Sequence, residues 1–137
     1  MDDPIEALRP IANADGRYAP EAFAFLFNAL PTAVREAGKQ DAEGAERHVT
    51  GQQLLQGMRA YALELFGPLA SNVWRAWGVH ETLDWGRIVF ILVEANLLNR
   101  QDSDTIEDFR AGFDFDEAFV QNYSPKLPSD VLGGHGL

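Results

Sequence analysis

The chain has 137 residues, 46% apolar and 23% charged, enough to bury one hydrophobic core and unlike a long disordered chain. It holds no cysteine, which excludes disulfides, zinc–thiolate centres and cysteine nucleophiles. Its formal net charge of −10 repels nucleic acid phosphates and anionic lipid surfaces.

Asp3-Pro4-Ile5-Glu6 reads as a helix start, with Asp as cap and Pro at the first helical position. Pro10 is expected to limit that helix to about two turns. Pro20-Glu21 opens a second helix, whose apolar stripe is Phe23, Leu26, Phe27 and Leu30, widened by Phe25. Pro31 is expected to kink or end it. Residues 36–47, polar and without apolar period, read as a mobile loop.

The strongest helix signal follows. Thr50 is an N-cap and Gln53 completes the T-x-x-Q capping box. Leu54, Leu55, Met58, Tyr61, Ala62, Leu65 and Phe66 share one face, and Gly67-Pro68 stops the helix. A short helix from Pro68 carries Leu69, Val73, Trp74 and Trp77 and ends at Gly78. Thr82 or Asp84 is expected to cap a last long helix, Trp85 to Leu98, whose IVFILV middle is apolar all round and so predicts a central, buried helix. Asp102 or Ser103 could then cap a short helix with Ile106 and Phe109, with a further turn around 116–119. After Ser124 the prolines and the GGHG run predict a loose tail.

The expected fold is all-α: a compact single-domain helical bundle of five or six helices spanning 1–123, with a flexible tail at 124–137. No apolar run reaches the roughly 20 residues of a membrane helix, and the acidic N-terminus reads as no signal peptide. A cytoplasmic location is the expectation.

The blocks YAPEAFAF (18–25), HVTGQQLLQGMR (48–59), FGPLASNVWRAWGV (66–79), TLDWGRIVFILVEANLL (82–98) and EDFRAGFDFDEAF (107–119) resemble the planctomycete–verrucomicrobial conserved hypothetical proteins, a family of small bacterial proteins. The resemblance implies that GFDFDEAF (112–119) belongs to the domain. It supplies no catalytic residues.

That segment concentrates the charge. Asp102, Asp104, Glu107, Asp108, Asp114, Asp116 and Glu117 face only Arg110 within 102–117, a net of −6. Each of Phe109, Phe113, Phe115 and Phe119 would forfeit about 1.5–3 kcal/mol if left exposed, so the rings are expected to dock on the bundle with the acids outward. The leading functional expectation is an interaction protein offering those seven acids to a basic protein partner. A second is a small-molecule or enzyme site at the Trp74/Trp77/Trp85 turn, with Arg75, Arg87 and His80 for an anionic group. A third is homo-oligomerisation through the apolar helix at 85–98.

Other chemistry finds little footing. The acids at 102–108 miss the EF-hand pattern, with Ile106 and Glu107 where it needs Asp/Asn and Gly. His48, His80 and His135 form no i,i+4 pair; joined by Glu81 or Asp84, His48 and His80 would make at most a weak metal site. There is no G-x-S-x-G elbow and no phosphate loop, so no catalytic residue and no cofactor is assigned, and the balance leans away from an enzyme. Arg59, Arg75 and Arg87 are too isolated for a helix-turn-helix recognition face.

Overall fold

The computed structural model describes every residue except 1–3, 100, 102, 103, 111 and 122–137. The expected caps at Asp3 and at Asp102 or Ser103, and the tail at 124–137 with His135, lie outside the described residues. Five α-helices form the bundle: α1 (Pro4–Asp15), α2 (Pro20–Glu36), α3 (Gly51–Phe66), α4 (Ala70–Ala76) and α5 (Thr82–Glu94). Short 3-10 turns lie at Gly44–Arg47, Gly67–Leu69 and Ile106–Phe109, and a π turn at Glu117–Gln121. The fold is all-α, with no strand among the described residues.

Both prolines expected to stop helices are carried through. α1 runs three turns with Pro10 inside it, and α2 continues past Pro31 to Glu36. Proline in a helix interior costs about 3 kcal/mol. Beyond Pro31, however, α2 buries Thr32, Ala33 and Val34, and beyond Pro10 α1 buries Ala12. Burial outweighs the local break.

The centre of the bundle is α2, not the helix expected there. α2 buries nine residues, including Phe23, Phe25 and Leu26, and packs on both α1 and α3. Its crossing with α3 is tight, since a Cβ on Gly57 would fall 2.3 Å from Ala33 Cα. α3 starts as its sequence dictates, with Thr50 Oγ1 accepting the Gln53 N–H at 3.1 Å and Gln53 Oε1 accepting the Thr50 N–H at 2.9 Å. Of its expected face Leu54, Leu55, Met58 and Ala62 are buried and Tyr61 and Phe66 half-buried, but Leu65 is exposed.

Gly78 closes α4 with φ +94°, a conformation that suits glycine; a Cβ there would meet the Arg17 carbonyl oxygen at 2.4 Å. The Ala19 N–H donates to the Trp77 carbonyl at 2.9 Å, so the start of α2 and the end of α4 are joined.

α5 begins three residues earlier than expected and ends at Glu94. Its N-cap is Glu81, and Thr82 and Asp84 lie within its first turn. Ile88 and Leu92 are buried, while Val89, Phe90, Ile91 and Val93 are half-buried. The apolar girdle of this helix is therefore only partly covered by neighbours.

The acidic-aromatic segment is docked on the bundle. Phe109 and Phe115 are 3% exposed and Phe119 is 0%, with Phe113 half-buried. Trp74 is the hub: its ring lies 4.9 Å from Phe119, 5.0 Å from Phe115 and 5.1 Å from Trp85, all edge-on. The buried Thr82 hydroxyl fixes the approach, donating to the Phe109 carbonyl at 2.6 Å and accepting the Gly112 N–H at 2.9 Å. Thr105, not an earlier residue, caps the turn that delivers Phe109.

Candidate functional site

The partly uncovered side of α5 faces a cavity of about 580 Å³. Its walls are Leu30 and Val34 from α2, Leu54 from α3, Val89 and Phe90 from α5, and Leu98 and Phe109 beyond it. The lining is predominantly apolar. Polar residues line it as well: Arg47, His48, Thr50, Asn99, Gln101, Asp104 and Asp108. This size and make-up, an apolar body with a few convergent polar groups, is that of small-molecule pockets.

Arg47 belongs to the segment 36–47, which was expected to be a mobile loop. Its hydrogen bonds are specific. Lys39 Nζ donates to the His48 carbonyl at 2.6 Å and to Gln53 Oε1 at 3.2 Å. The Arg47 guanidinium donates to the Gln40 carbonyl at 2.7 Å. These bonds hang residues 39–48 on the capped start of α3.

His48, which lines the cavity, pairs with a residue beyond α5. Its Nε2 lies 2.7 Å from Asp104 Oδ2, with both side chains half-buried. Asp104 Oδ2 also accepts the Gln101 N–H at 2.8 Å. Because a carboxylate only accepts, a neutral His48 ring carries its proton on Nε2 and leaves Nδ1 as an acceptor. The described residues supply no hydrogen-bond partner for Nδ1. Asp108, also in the lining, accepts the Thr105 N–H at 3.0 Å, and its carbonyl accepts a bond from the Gln52 amide. Among the described residues no group of three metal-ligating side chains gathers.

The residues singled out in the sequence are dispersed. Among the acids, Asp104 and Asp108 line the cavity, while Asp102 lies outside the described residues. Glu107 is held by Arg110 at 2.5 Å and Asp116 by Arg75 at 3.0 Å. The hydrogen bonds from Arg110 hold the exposed Glu107 carboxyl below its ordinary range. Asp114 caps the Glu117 N–H at 2.9 Å, and Glu117 itself is exposed. Most of these carboxylates thus serve as local caps and intrachain pairs.

The tryptophan turn does not gather its residues around one opening. Trp74 and Trp85 are fully buried in the ring cluster, and their indole N–H groups find no hydrogen-bond partner among the described residues. Trp77 is half-buried against Phe25 and Phe66. A shallow depression of about 410 Å³ lies beside Trp77 and Arg75, but His80, Trp85 and Arg87 are not part of it. His80 is exposed and gives its backbone N–H to Asp84. Of the large apolar side chains in 85–98, the stretch expected to drive oligomerisation, Leu97 alone is exposed.

Arg87 belongs to a second cluster. Asp84 is 7% exposed and accepts from Tyr18 Oη at 2.6 Å, Arg87 Nη1 at 2.6 Å and the N–H groups of His80 and Glu81. Burial pushes the Asp84 carboxyl up, but these four donors outweigh it and hold it below the ordinary carboxylate value. Burial, then the bond to Asp84, pushes the Tyr18 phenol up to about 12. With every acceptor position taken, the cluster works as a strut between the α1–α2 link and α5.

Sequence reasoning passed over the His48–Asp104 pair. The partners are 56 residues apart on two irregular segments, so no spacing announces them. The usable signal was the surplus of apolar positions on α5, more than one buried face requires. Compared with models of known protein families, with curated proteins and with solved structures, the chain finds no match in any of the three. No helix among the described residues is long and apolar enough to cross a membrane.

Proposed function

We propose that the protein binds a small, largely apolar molecule in the cavity between α2, α3, α5 and the 98–109 segment. One observation carries this: a space of about 580 Å³ with mostly apolar walls is also lined by a few polar groups, among them the paired His48 and Asp104. Water in such a space is poorly hydrogen-bonded along most of its boundary, and an apolar occupant would release it. The acidic-face reading draws on net charge, and the local caps and pairs already engage most of its carboxylates. The family resemblance brings no activity with it, so the proposal stands on the cavity.

The test is uptake of an uncharged, environment-sensitive dye such as Nile red. The wild-type chain should take it up saturably at one site. Val89→Trp and Leu98→Trp, which push an indole into the space, should lose that uptake while keeping their helical circular dichroism. Equal uptake by wild type and both variants would overturn the reading.

A further inference from the structure

The charged side chains that line the cavity are mostly acidic. Asp104 and Asp108 both line it as carboxylates. His48 also lines it, with its Nε2 on Asp104 at 2.7 Å. One cation, Arg47, also lines the space, but it is exposed and donates to the Gln40 carbonyl on its own loop. Lys39, the other nearby cation, has its ammonium on the His48 carbonyl and Gln53. The side chains lining the space thus carry two formal negative charges, Asp104 and Asp108, against one positive, Arg47. The formal charge of the whole chain, −10, biases the surrounding field the same way.

We infer that the molecule this cavity takes is an apolar amine: an aliphatic or aromatic body against Leu30, Val34, Leu54, Val89, Phe90 and Phe109, with a protonated amino head among Asp104, Asp108 and His48. The inference rests on the proposed cavity function and adds the head-group class to it. An ammonium brings up to three donors and no acceptor, which complements these carboxylates. A carboxylate head would place a third anion beside two others, with Arg47 as the one lining cation to meet it. An alcohol satisfies one acceptor and brings no charge.

A matched set separates these cases: phenylbutylamine, phenylbutanol and phenylbutyrate, which share one apolar body. Each is titrated calorimetrically into the wild-type chain at low and at moderate salt. The amine should bind tightest, about tenfold or more ahead of the acid at low salt, with the gap narrowing as salt rises. Asp104→Asn and Asp108→Asn should each shrink the amine's advantage over the alcohol, and Val89→Trp should abolish binding of the amine. An alcohol or acid binding as well as the amine would overturn the head-group assignment and leave the cavity reading standing. So would failure of all three ligands in a protein that still takes up the neutral dye. Loss of the dye as well would overturn both. Amine binding unchanged in Val89→Trp would place the amine elsewhere and overturn the assignment.

Discussion

The side chain of Phe109 lies directly on the backbone of Gly86. A Cβ added to that glycine would fall 2.8 Å from Phe109 Cβ and 2.9 Å from the ring. Gly51, at the start of α3, meets the same ring, with a Cβ there 2.9 Å from Phe109 Cε2. One phenylalanine thus bridges α3 and α5 through two positions that lack a side chain, and it lines the cavity. Gly86→Ala should destabilise the fold by about 1–3 kcal/mol through overpacking. Phe109→Ala should cost about 3–5 kcal/mol through the void it leaves. The two together should cost clearly less than their sum, because the alanine methyl then enters the vacated space. Denaturant unfolding of the four proteins measures the cycle. Simple additivity would contradict the contact.

Gly57 poses a harder constraint, since its neighbour is backbone. A methyl there meets Ala33 Cα at 2.3 Å and Ala33 N at 2.7 Å, so α2 and α3 must separate. Gly57→Ala should lower stability by about 3 kcal/mol or more, despite alanine's better helix propensity. A thermal melt checks it, and an unchanged or raised midpoint would count against this helix crossing.

Thr82 can be tested without changing its volume. Thr82→Val removes the hydroxyl that donates to the Phe109 carbonyl and accepts the Gly112 N–H. Both backbone groups lose their partner, at a cost of about 1–3 kcal/mol. Amide hydrogen exchange should quicken at Gly112 ahead of the α2 and α3 cores. Uniform exchange across the chain would deny that this hydroxyl anchors the segment.

The Asp84 cluster gives the fold two pH limits. The folded Asp84 value is depressed, so its contribution is complete above the unfolded value of about 4 and is lost as pH falls through the lower folded one. Tyr18 acts at the other end. With its phenol raised to about 12, the unfolded chain ionises first, from about 10, and stability declines from there upward. Asp84→Asn should therefore be less stable than wild type at neutral pH, with the gap narrowing in acid. Tyr18→Phe should cost about 1.5–3 kcal/mol at neutral pH and flatten the alkaline decline. Unfolding midpoints across pH measure both. Parallel curves for wild type and variants would contradict the cluster.

What could be read in the sequence was what depends on near neighbours or on burial of large rings. The Thr50/Gln53 box is a local hydrogen-bonding pattern and stands as written. The docking of Phe109, Phe115 and Phe119 follows from the free energy of exposing such rings, whatever covers them. Pro10 and Pro31 misled because a local rule met tertiary burial, which outweighed it. α5 was half legible. Its IVFILV run announced apolar contact all round, and it was natural to fill every side with helices. One side instead faces a cavity, and a cavity wall and a packed face use the same residues. The pairing of His48 with Asp104 arises only once the loop before α3 and the segment after α5 are brought together, which no local pattern encodes.

The most direct test of the account is to map where phenylbutylamine binds, by following the backbone amide signals of the isotopically labelled chain through a titration. The account expects saturable shifts confined to the lining segments, at 47–54, 89–90 and 98–109, with His48 and Asp104 among the largest. Shifts gathered instead around the exposed Leu65, Leu69 and Val120, or no saturable shifts at all, would contradict it.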